Sequence, residues 1–506
     1  MTAHIAADKT DARLAAWVPP AGSADADLLD ELSTITPRAR DLSRNNPLGA
    51  AAKQTYADNI IGSQLRLSAL PRYRMLDWNK DQSSEWANLT EDQFSTWAET
   101  TECDAARTQT LLSLTVQALT GAMMNGDAIA VFHWLPRQGS VWSTRIQAVE
   151  SDRLATPPWL MHDASVRGGV KIDNYGAPLG YWILKHHPGD ANAQGLTPDR
   201  NQWTYVPAFT GWGRRRVIHL FDKERSGQNR GKSVFTSVMR EFRVAGEYMG
   251  AELHAAVINA MIAAFLETDL DQQSVSEMFG NDPEGTYWKS VSEKWNRKKL
   301  ETGMIQTLPM GTKLSGYDPN RPNTAFDGFM ESVMRHIAAG LNLPYELLLK
   351  DFSKTNYSSA RAALLEAWRY FQSRRKWLSE QWLNPIYETW MEEAINIGKV
   401  EAPGYYDNRF AYCRCRWVFS GRGWVDPVKE ANAAKIRMES GLSTLEQECA
   451  EQGMDWEEVL DQRAREKSKM KEMGLELTEF SVTDQADPDA NSEAQEQNSG
   501  DANADQ

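Results

Sequence analysis

The sequence predicts an α+β fold in which long helices frame a smaller region of strands. Three patterns point to it. In residues 326–398 a helix over 329–341 breaks at Asn342-Leu343-Pro344, an irregular segment runs through 359, and a very long helix continues to about Gly398. Along that helix Leu364, Trp368, Phe371, Leu378, Trp382, Ile386 and Trp390 recur every three to four residues, the period of one apolar face. Six alternating or apolar runs fall at 128–135, 143–148, 169–172, 180–184, 203–206 and 216–221, the signature of strands. Residues 233–266 repeat the helical period, with Phe235, Val238, Phe242, Ala245, Met249, Leu253, Val257, Ala260 and Ala264 on one stripe. Helices average roughly 11 to 12 residues, so rods this long either span between domains or pack against copies of themselves.

The elements then read in order. Residues 1–27, rich in Ala, Asp and Pro without a period, predict a loose arm. Thr36 followed by Pro37 predicts a helix start, because proline presets the dihedral of the first helical position. A helix resumes over 51–60, and two more are expected over 86–99 and 105–125, with Gly126 turning the chain into the strands. Residues 269–317 form an insert with a helical piece at 283–299 and a short strand at 304–308. Pro385 is expected to kink the long helix, since it lacks a backbone donor and crowds the preceding turn. Residues 405–419 read as strand, 424–471 as small helices broken at Gly441-Leu442-Ser443 and Gly453, and the Asp-, Asn-, Gln- and Glu-rich tail 482–506 as disordered.

Composition narrows the function classes. At 506 residues the chain has room for three or four domains at about 150 residues each. A formal charge of -14 excludes a protein that wraps nucleic acid through a general basic surface, while leaving local basic bands open. Cys103, Cys413, Cys415 and Cys449 lack the companions a metal site needs and predict structural thiols in a reducing compartment. No signal peptide opens the chain and no apolar run reaches the ~20 residues that span a bilayer. The expectation is no metal, no cofactor and no membrane.

The one enzymatic lure is Gly227-Gln228-Asn229-Arg230-Gly231-Lys232-Ser233, placed after a strand as a phosphate-binding loop would be. Such a loop has four residues between its glycines so that enough amides encircle the phosphates. Here there are three, so a glycine turn that opens a helix is the better reading. The histidines at 133, 186, 187, 219, 254 and 336 lack orienting partners in sequence and read as surface residues. Basic side chains gather at Lys350, Lys354 and Arg361 and continue as Arg369, Arg374, Arg375 and Lys376. In a monomer these make a solvated face; in a ring they would make bands of charge around an axis, touching a phosphate backbone weakly and salt-sensitively.

The order of elements resembles the portal proteins of tailed bacteriophages, of the lambda type. The residues that carry this are Arg40-Asp41-Leu42 with Arg44-Asn45-Asn46, Ile61-Gly62-Ser63 with Arg66-Leu67-Ser68, and Ile218-His219-Leu220-Phe221 with Gly227-Gln228 and Arg230-Gly231. Ile337-Ala338-Ala339-Gly340-Leu341, Tyr345-Glu346, Tyr357-Ser358 with Ala360-Arg361, and Gly441-Leu442-Ser443-Thr444 with Glu446 extend it over about 30–474. The resemblance implies a non-enzymatic ring, usually of twelve subunits, at one capsid vertex, assembled in the host cytoplasm with scaffold and major capsid protein. Terminase, whose large subunit is the motor, would package DNA through it; head-completion proteins would follow, and DNA would leave by the same channel.

The portal fold would divide this chain into a flexible arm (1–27), a wing (28–232), a stem helix (233–266), a clip (267–322) and a second stem helix (325–341). A tunnel loop (342–359), a long wing helix with returning strand (360–423), a crown (424–473) and the acidic tail (482–506) would complete it. Within that frame Lys350, Lys354, Arg361, Tyr345, Phe352 and Tyr357 are expected to face DNA. Lys294, Arg297, Lys298 and Lys299 are expected to meet a docking partner, and Val257, Met261 and Phe265 to pack neighbouring subunits. Two rivals are a minor capsid or scaffold-associated protein, which would form no closed ring, and, more remotely, a nucleotide-driven enzyme using the loop at 227–233.

Overall fold

The computed structural model describes residues 4–190, 199–261, 265–266, 306–307, 326–353, 355–421 and 427–473. Residues 1–425 form one compact unit and 426–506 a second.

The first unit opens with α1 (Ala24–Leu28), α2 (Leu32–Asn45) and α3 (Pro47–Ile60). The start expected at Thr36-Pro37 is wrong: α2 begins at Leu32 and carries Pro37 inside it. The cap-and-proline pair that does begin a helix is Asn46-Pro47, where Asn46 Oδ1 accepts from the amides of Leu48 (3.0 Å) and Gly49 (3.2 Å). Asn46→Ala is expected to cost about 1 kcal/mol of stability, read as a lowered unfolding midpoint. The arm is also shorter than the sequence suggests. Ser23 caps α1, Asp25 is buried, and Arg225 binds both Asp27 (2.7 Å) and the Gly22 carbonyl (3.0 Å), fastening residues 22–28 to the loop after the strands.

β1 (Leu65–Ala69), α4 (Lys80–Ala98) and α5 (Leu111–Asn125) lead into two antiparallel sheets. β2 (Asp127–Trp134), β3 (Thr144–Val149), β4 (Val166–Arg167), β5 (Val170–Ile172), β6 (Pro178–Leu184), β7 (Trp203–Pro207) and β8 (Val217–Phe221) follow; all but β4, which no expected run covers, lie within a few residues of expectation. The sheets run in the order β3-β2-β8 and β4-β5-β6-β7. Six consecutive residues of β2 are buried because its faces meet different cores. Ala128, Ala130 and Phe132 join the large helical core, while Ile129 and Val131 join Val170, Tyr181, Ile183 and Val206 of the second sheet. A strand alternates its side chains between two faces, so an apolar run here means coverage on both.

α6 (Met239–Met261) starts six residues later than the 233 expected, after turns that bury Phe235 and Val238. β9 (Phe265–Leu266) and β10 (Gln306–Thr307) pair in parallel, and the helical piece expected at 283–299 lies outside the described residues. α7 (Phe326–Gly340) packs on α6, with the Tyr248 ring centroid 5.5 Å from Phe326 and 5.2 Å from Phe329.

The irregular segment expected over 342–359 holds a helix, α8 (Tyr345–Leu349), and ends early as α9 (Tyr357–Leu378) begins. The long rod is two helices, α9 and α10 (Asn384–Asn396), joined by a π-helical turn at Ser379–Leu383. That wide turn immediately precedes Pro385, whose ring would otherwise crowd the Gln381 carbonyl. Arg375, expected in a basic band, is buried instead and donates to the carbonyls of Ile60 (2.7 Å), Asn59 (3.0 Å) and Ser420 (2.7 Å), clamping α9 to the end of α3. Burial lowers its pKa to about 10.

Residues 405–419 are not one strand. α11 (Tyr405–Tyr412) precedes β11 (Cys415–Phe419), which pairs antiparallel with β1 and sets Leu67 opposite Trp417. Four tyrosines and phenylalanines in 405–412 gave the false alternation; Tyr405 and Tyr412 are buried on one side of a helix. All four cysteines are free thiols, and burial pushes Cys103 and Cys415 up to about 12 and Cys413 up to about 11.

The second unit, described by itself, comprises α12 (Pro427–Glu439), α13 (Leu445–Glu451) and α14 (Trp456–Glu472), close to the helices and breaks expected. Thr444 and Gln447 cap α13 reciprocally, and Arg437 holds Glu448 at 2.6 Å.

Candidate functional site

α6 is where the sequence stripe divides. Phe235, Val238, Phe242 and Ala245 are buried, but Met249, Leu253 and Val257 on the same stripe are 49%, 65% and 47% exposed, and Phe329 of the paired α7 is 50% exposed. The apolar face of α6 thus continues in register past the point where its own fold covers it. Met261 ends α6 and Phe265 lies in β9, but their side chains fall outside the described residues, so Val257 alone of the three expected interface residues can be placed.

The chain between α7 and α9 is fixed at both ends and bare in the middle. Leu341, Leu343 and Leu348 are buried, and the Tyr56 hydroxyl donates to the Leu341 carbonyl. Lys350 terminates α8 with φ of +55°, a left-handed conformation strained for lysine. Asn356 caps α9 by accepting from the Ser359 amide at 2.8 Å. Lys350, Phe352 and Arg361 are exposed around this short connection. Tyr345 is half-buried with the Arg335 guanidinium 5.4 Å above its ring; Arg335, on α7, also pairs with Glu331 at 2.9 Å. Lys354 and the side chain of Tyr357 lie outside the described residues, as do Lys294, Arg297, Lys298 and Lys299. Of the remaining basic band, Arg369 pairs with Glu366 at 3.0 Å and Arg374 with Asp222 at 2.6 Å, so neither is an uncommitted cation.

The loop at 227–233 is a structural hub. Gly126 and Gly231 approach so closely that a Cβ on Gly126 would lie 2.5 Å from the Gly231 carbonyl oxygen. The amides that a phosphate would need already serve carboxylates of the chain: Asn229 N–H donates to Asp25 (2.9 Å) and Gly231 N–H to Asp127 (2.8 Å). Lys232 pairs with Glu224 at 2.7 Å, and the adjoining cleft of about 250 Å³ is lined by Asp222, Glu224, Lys232 and Arg374, whose charges are taken up in the pairs Lys232–Glu224 and Arg374–Asp222. His219, expected at the surface, has its side chain buried, with Nε2 2.9 Å from Asp127; His187, also expected without partners, stands 3.7 Å from Asp152. Burial pushes the Asp127 carboxyl up, but Arg230, His219 and the Gly231 amide outweigh it and hold it below its ordinary range. Among the described residues no cluster of His, Cys, Asp and Glu is arranged to hold a metal, and no helix is long and apolar enough to cross a membrane.

The family model described as phage portal protein, lambda family, matches residues 10–375. The chain belongs to the lambda family of phage portal proteins. It is 32% identical over 479 residues to the portal protein of Escherichia phage N15, covering 92% of this chain and 89% of that one. To portal protein B of Escherichia phage lambda it is 31% identical over 485 residues, again covering 92% and 89%. Among solved structures it matches a chain of the neck of an empty gene transfer agent particle, with TM-score 0.42 and 13% identity over 84% of this chain and 93% of that one. Family membership rests on the sequence comparisons, and with it the function of a portal protein, a component of the virion at the portal vertex of the capsid.

Proposed function

We propose that this portal protein closes into a homo-oligomeric ring, of about twelve subunits as the family resemblance implies, and that double-stranded DNA passes through its centre in both directions without chemistry by the ring itself. The observation that carries this reading is the uncovered stripe Met249, Leu253 and Val257, continued by Phe329, in a chain whose family is that of portals. A helix pair with one face buried and the next turns of that face bare is suited to lateral packing against a copy of itself, with Val257, Met261 and Phe265 in the contact.

In this arrangement 28–232 and 360–423 serve as wing, 233–266 and 325–341 as stem, 267–322 as clip and 424–473 as crown. The exposed part of 342–359 then lines the channel, narrower than the sequence suggests because α8 docks its first half. Lys350, Lys354 and Arg361 would touch phosphates in passing, with Tyr345, Phe352 and Tyr357 around them. Few contacts make weak binding, which suits a duplex that has to move. Lys294, Arg297, Lys298 and Lys299 would meet the terminase large subunit and later the head-completion proteins, while scaffold and major capsid protein would hold the outer rim. The amides of the 227–233 loop, serving Asp25 and Asp127, favour leaving nucleotide hydrolysis to the motor.

Negative-stain images of the purified protein test the ring directly: closed rings with a central hole are expected, and only open or irregular particles would remove the reading. Lys350→Ala with Lys354→Ala is expected to lower packaged DNA several-fold while rings stay intact. Undiminished packaging would take the channel role from these lysines.

A further inference from the structure

α14 changes character half-way along. Trp456, Val459 and Leu460 recur at helical spacing in its first half, where Trp456 and Val459 are half-buried, and α14 packs against α13. Every residue from Asp461 to Lys469 is exposed. This second half carries Arg463, Arg465, Lys467, Lys469 and Lys471, none of which forms an ion pair among the described residues.

Their spacing works against the helix that holds them. Arg463 and Lys467, Lys467 and Lys471, and Arg465 and Lys469 are each four apart, and like charges at that spacing weaken a helix; Asp461, four before Arg465, and Glu466, three from both Arg463 and Lys469, offset this in part, and residues 461–471 keep five cations against two carboxylates. A helix with no tertiary cover is already marginal in water. The helix dipole favours cations only in the last turn, which accounts for Lys469 and Lys471 and leaves the other three without that support. The side chains Arg463, Lys467 and Lys471 follow one another at roughly 6 Å of axial rise, a line of like charge along one side.

We propose that this half of α14 is a second docking face for the phosphate backbone of double-stranded DNA, separate from the 350–361 segment. A polyanion laid along the line would turn the mutual repulsion of these cations into a shared attraction and release condensed counterions. A protein partner fits less well: residues 461–472 hold one large apolar side chain, Met470, and no aromatic one, and protein interfaces take their core from such groups. DNA binding here requires neither the ring nor the channel.

The test is fluorescence anisotropy of a short duplex DNA titrated with the full chain across a salt series. Arg463→Gln, Lys467→Gln and Lys471→Gln together are expected to weaken binding at least tenfold at low salt and to reduce the salt slope by about 2 to 3, close to one for each phosphate no longer neutralised. The charge-preserving set Arg463→Lys, Lys467→Arg and Lys471→Arg should bind as the parent does, which separates lost charge from a lost helix. Equal affinity and slope for the glutamine variant and the parent would overturn the inference. The Lys350→Ala, Lys354→Ala variant run alongside keeps the two faces apart: if it alone loses binding, the α14 face falls and the channel reading stands. The segment 474–506 carries nine acidic and no basic residues. Binding of a peptide of that segment to α14 with no DNA binding would assign the face to the chain's own tail and also overturn the inference.

Discussion

Leu253→Asp with Val257→Asp is expected to leave the portal chain folded and monomeric. The two side chains stand 65% and 47% exposed on α6, so in the separate subunit the substitutions disturb no buried packing and stability should stay within about 0.5 kcal/mol. In the proposed ring the same positions would be covered. Each apolar side chain taken from water contributes roughly 1.5–3 kcal/mol, and a carboxylate in its place has to be desolvated without a partner. Two such sites make a shift of at least 100-fold in the concentration needed for assembly a conservative expectation, since about 2.8 kcal/mol corresponds to that factor. Every subunit of a ring has a neighbour on each side, so the defect recurs at every interface and closure fails as a whole.

Glu247→Lys is the control, because Glu247 lies on the exposed side of α6 in an ion pair with Arg243 that contributes little. Sedimentation velocity reads the outcome: the double aspartate variant near the mass of one chain, the control at the mass of the ring. Rings formed equally well by both would mean that the apolar stripe has some other purpose.

The same stripe shows how much the sequence could disclose. Its period runs unbroken from Phe235 through Val257, and nothing in the spacing marks that cover ends between Ala245 and Met249. Periodicity reports that a face is apolar; what lies against it depends on where other parts of the chain arrive. Strands β2, β3 and β5 to β8 were legible because alternation and turn residues are local signals, whereas the two-residue β4 is too short to show either. The cap at Asn46-Pro47 carried the same signal as Thr36-Pro37, and only packing separates them, for Thr36 is held in α2 with its hydroxyl donating to the Asn125 carbonyl at 3.3 Å. The spacing of the glycine loop argued against a phosphate site. Its actual role was out of reach, because Asp127 and Arg230 stand 103 positions apart and Asp25 and Asn229 stand 204 apart. Of the basic residues after 350, sequence could not tell Lys350, which is exposed, from Arg375, which spends its donors on three carbonyls of the core.

That distant pairing makes Asp127→Ala the most damaging single substitution expected within a subunit. The Asp127 carboxylate accepts from Arg230 Nε at 2.8 Å and from the Gly231 amide at 2.8 Å, with His219 Nε2 at 2.9 Å. Arg230 in turn donates to the carbonyls of Leu154 (2.7 Å), Gly168 (3.0 Å) and Ser151 (3.1 Å), so one guanidinium ties the 227–233 loop to two further segments of the sheet region, 151–154 and Gly168. Without Asp127 the guanidinium is buried and unpaired, a loss of about 3–5 kcal/mol. Replacing both members, Asp127→Leu with Arg230→Met, should cost less than Asp127→Ala alone, because no charge is then left stranded.

The pair also has a pH signature. The folded-state pKa of Asp127 is depressed, so the unfolded chain binds the more protons in acid and stability rises with pH there. The contribution is complete above the unfolded carboxyl value of about 4 and is lost as pH falls through the lower folded value. Denaturant titrations in the monomeric Leu253→Asp, Val257→Asp background, with and without Asp127→Asn, should therefore show a stability gap that is widest at neutral pH and closes below about pH 4. A gap under about 1 kcal/mol at neutral pH, less than a buried charge pair is worth, or one that widens in acid, would show that Asp127 does not hold the hub together.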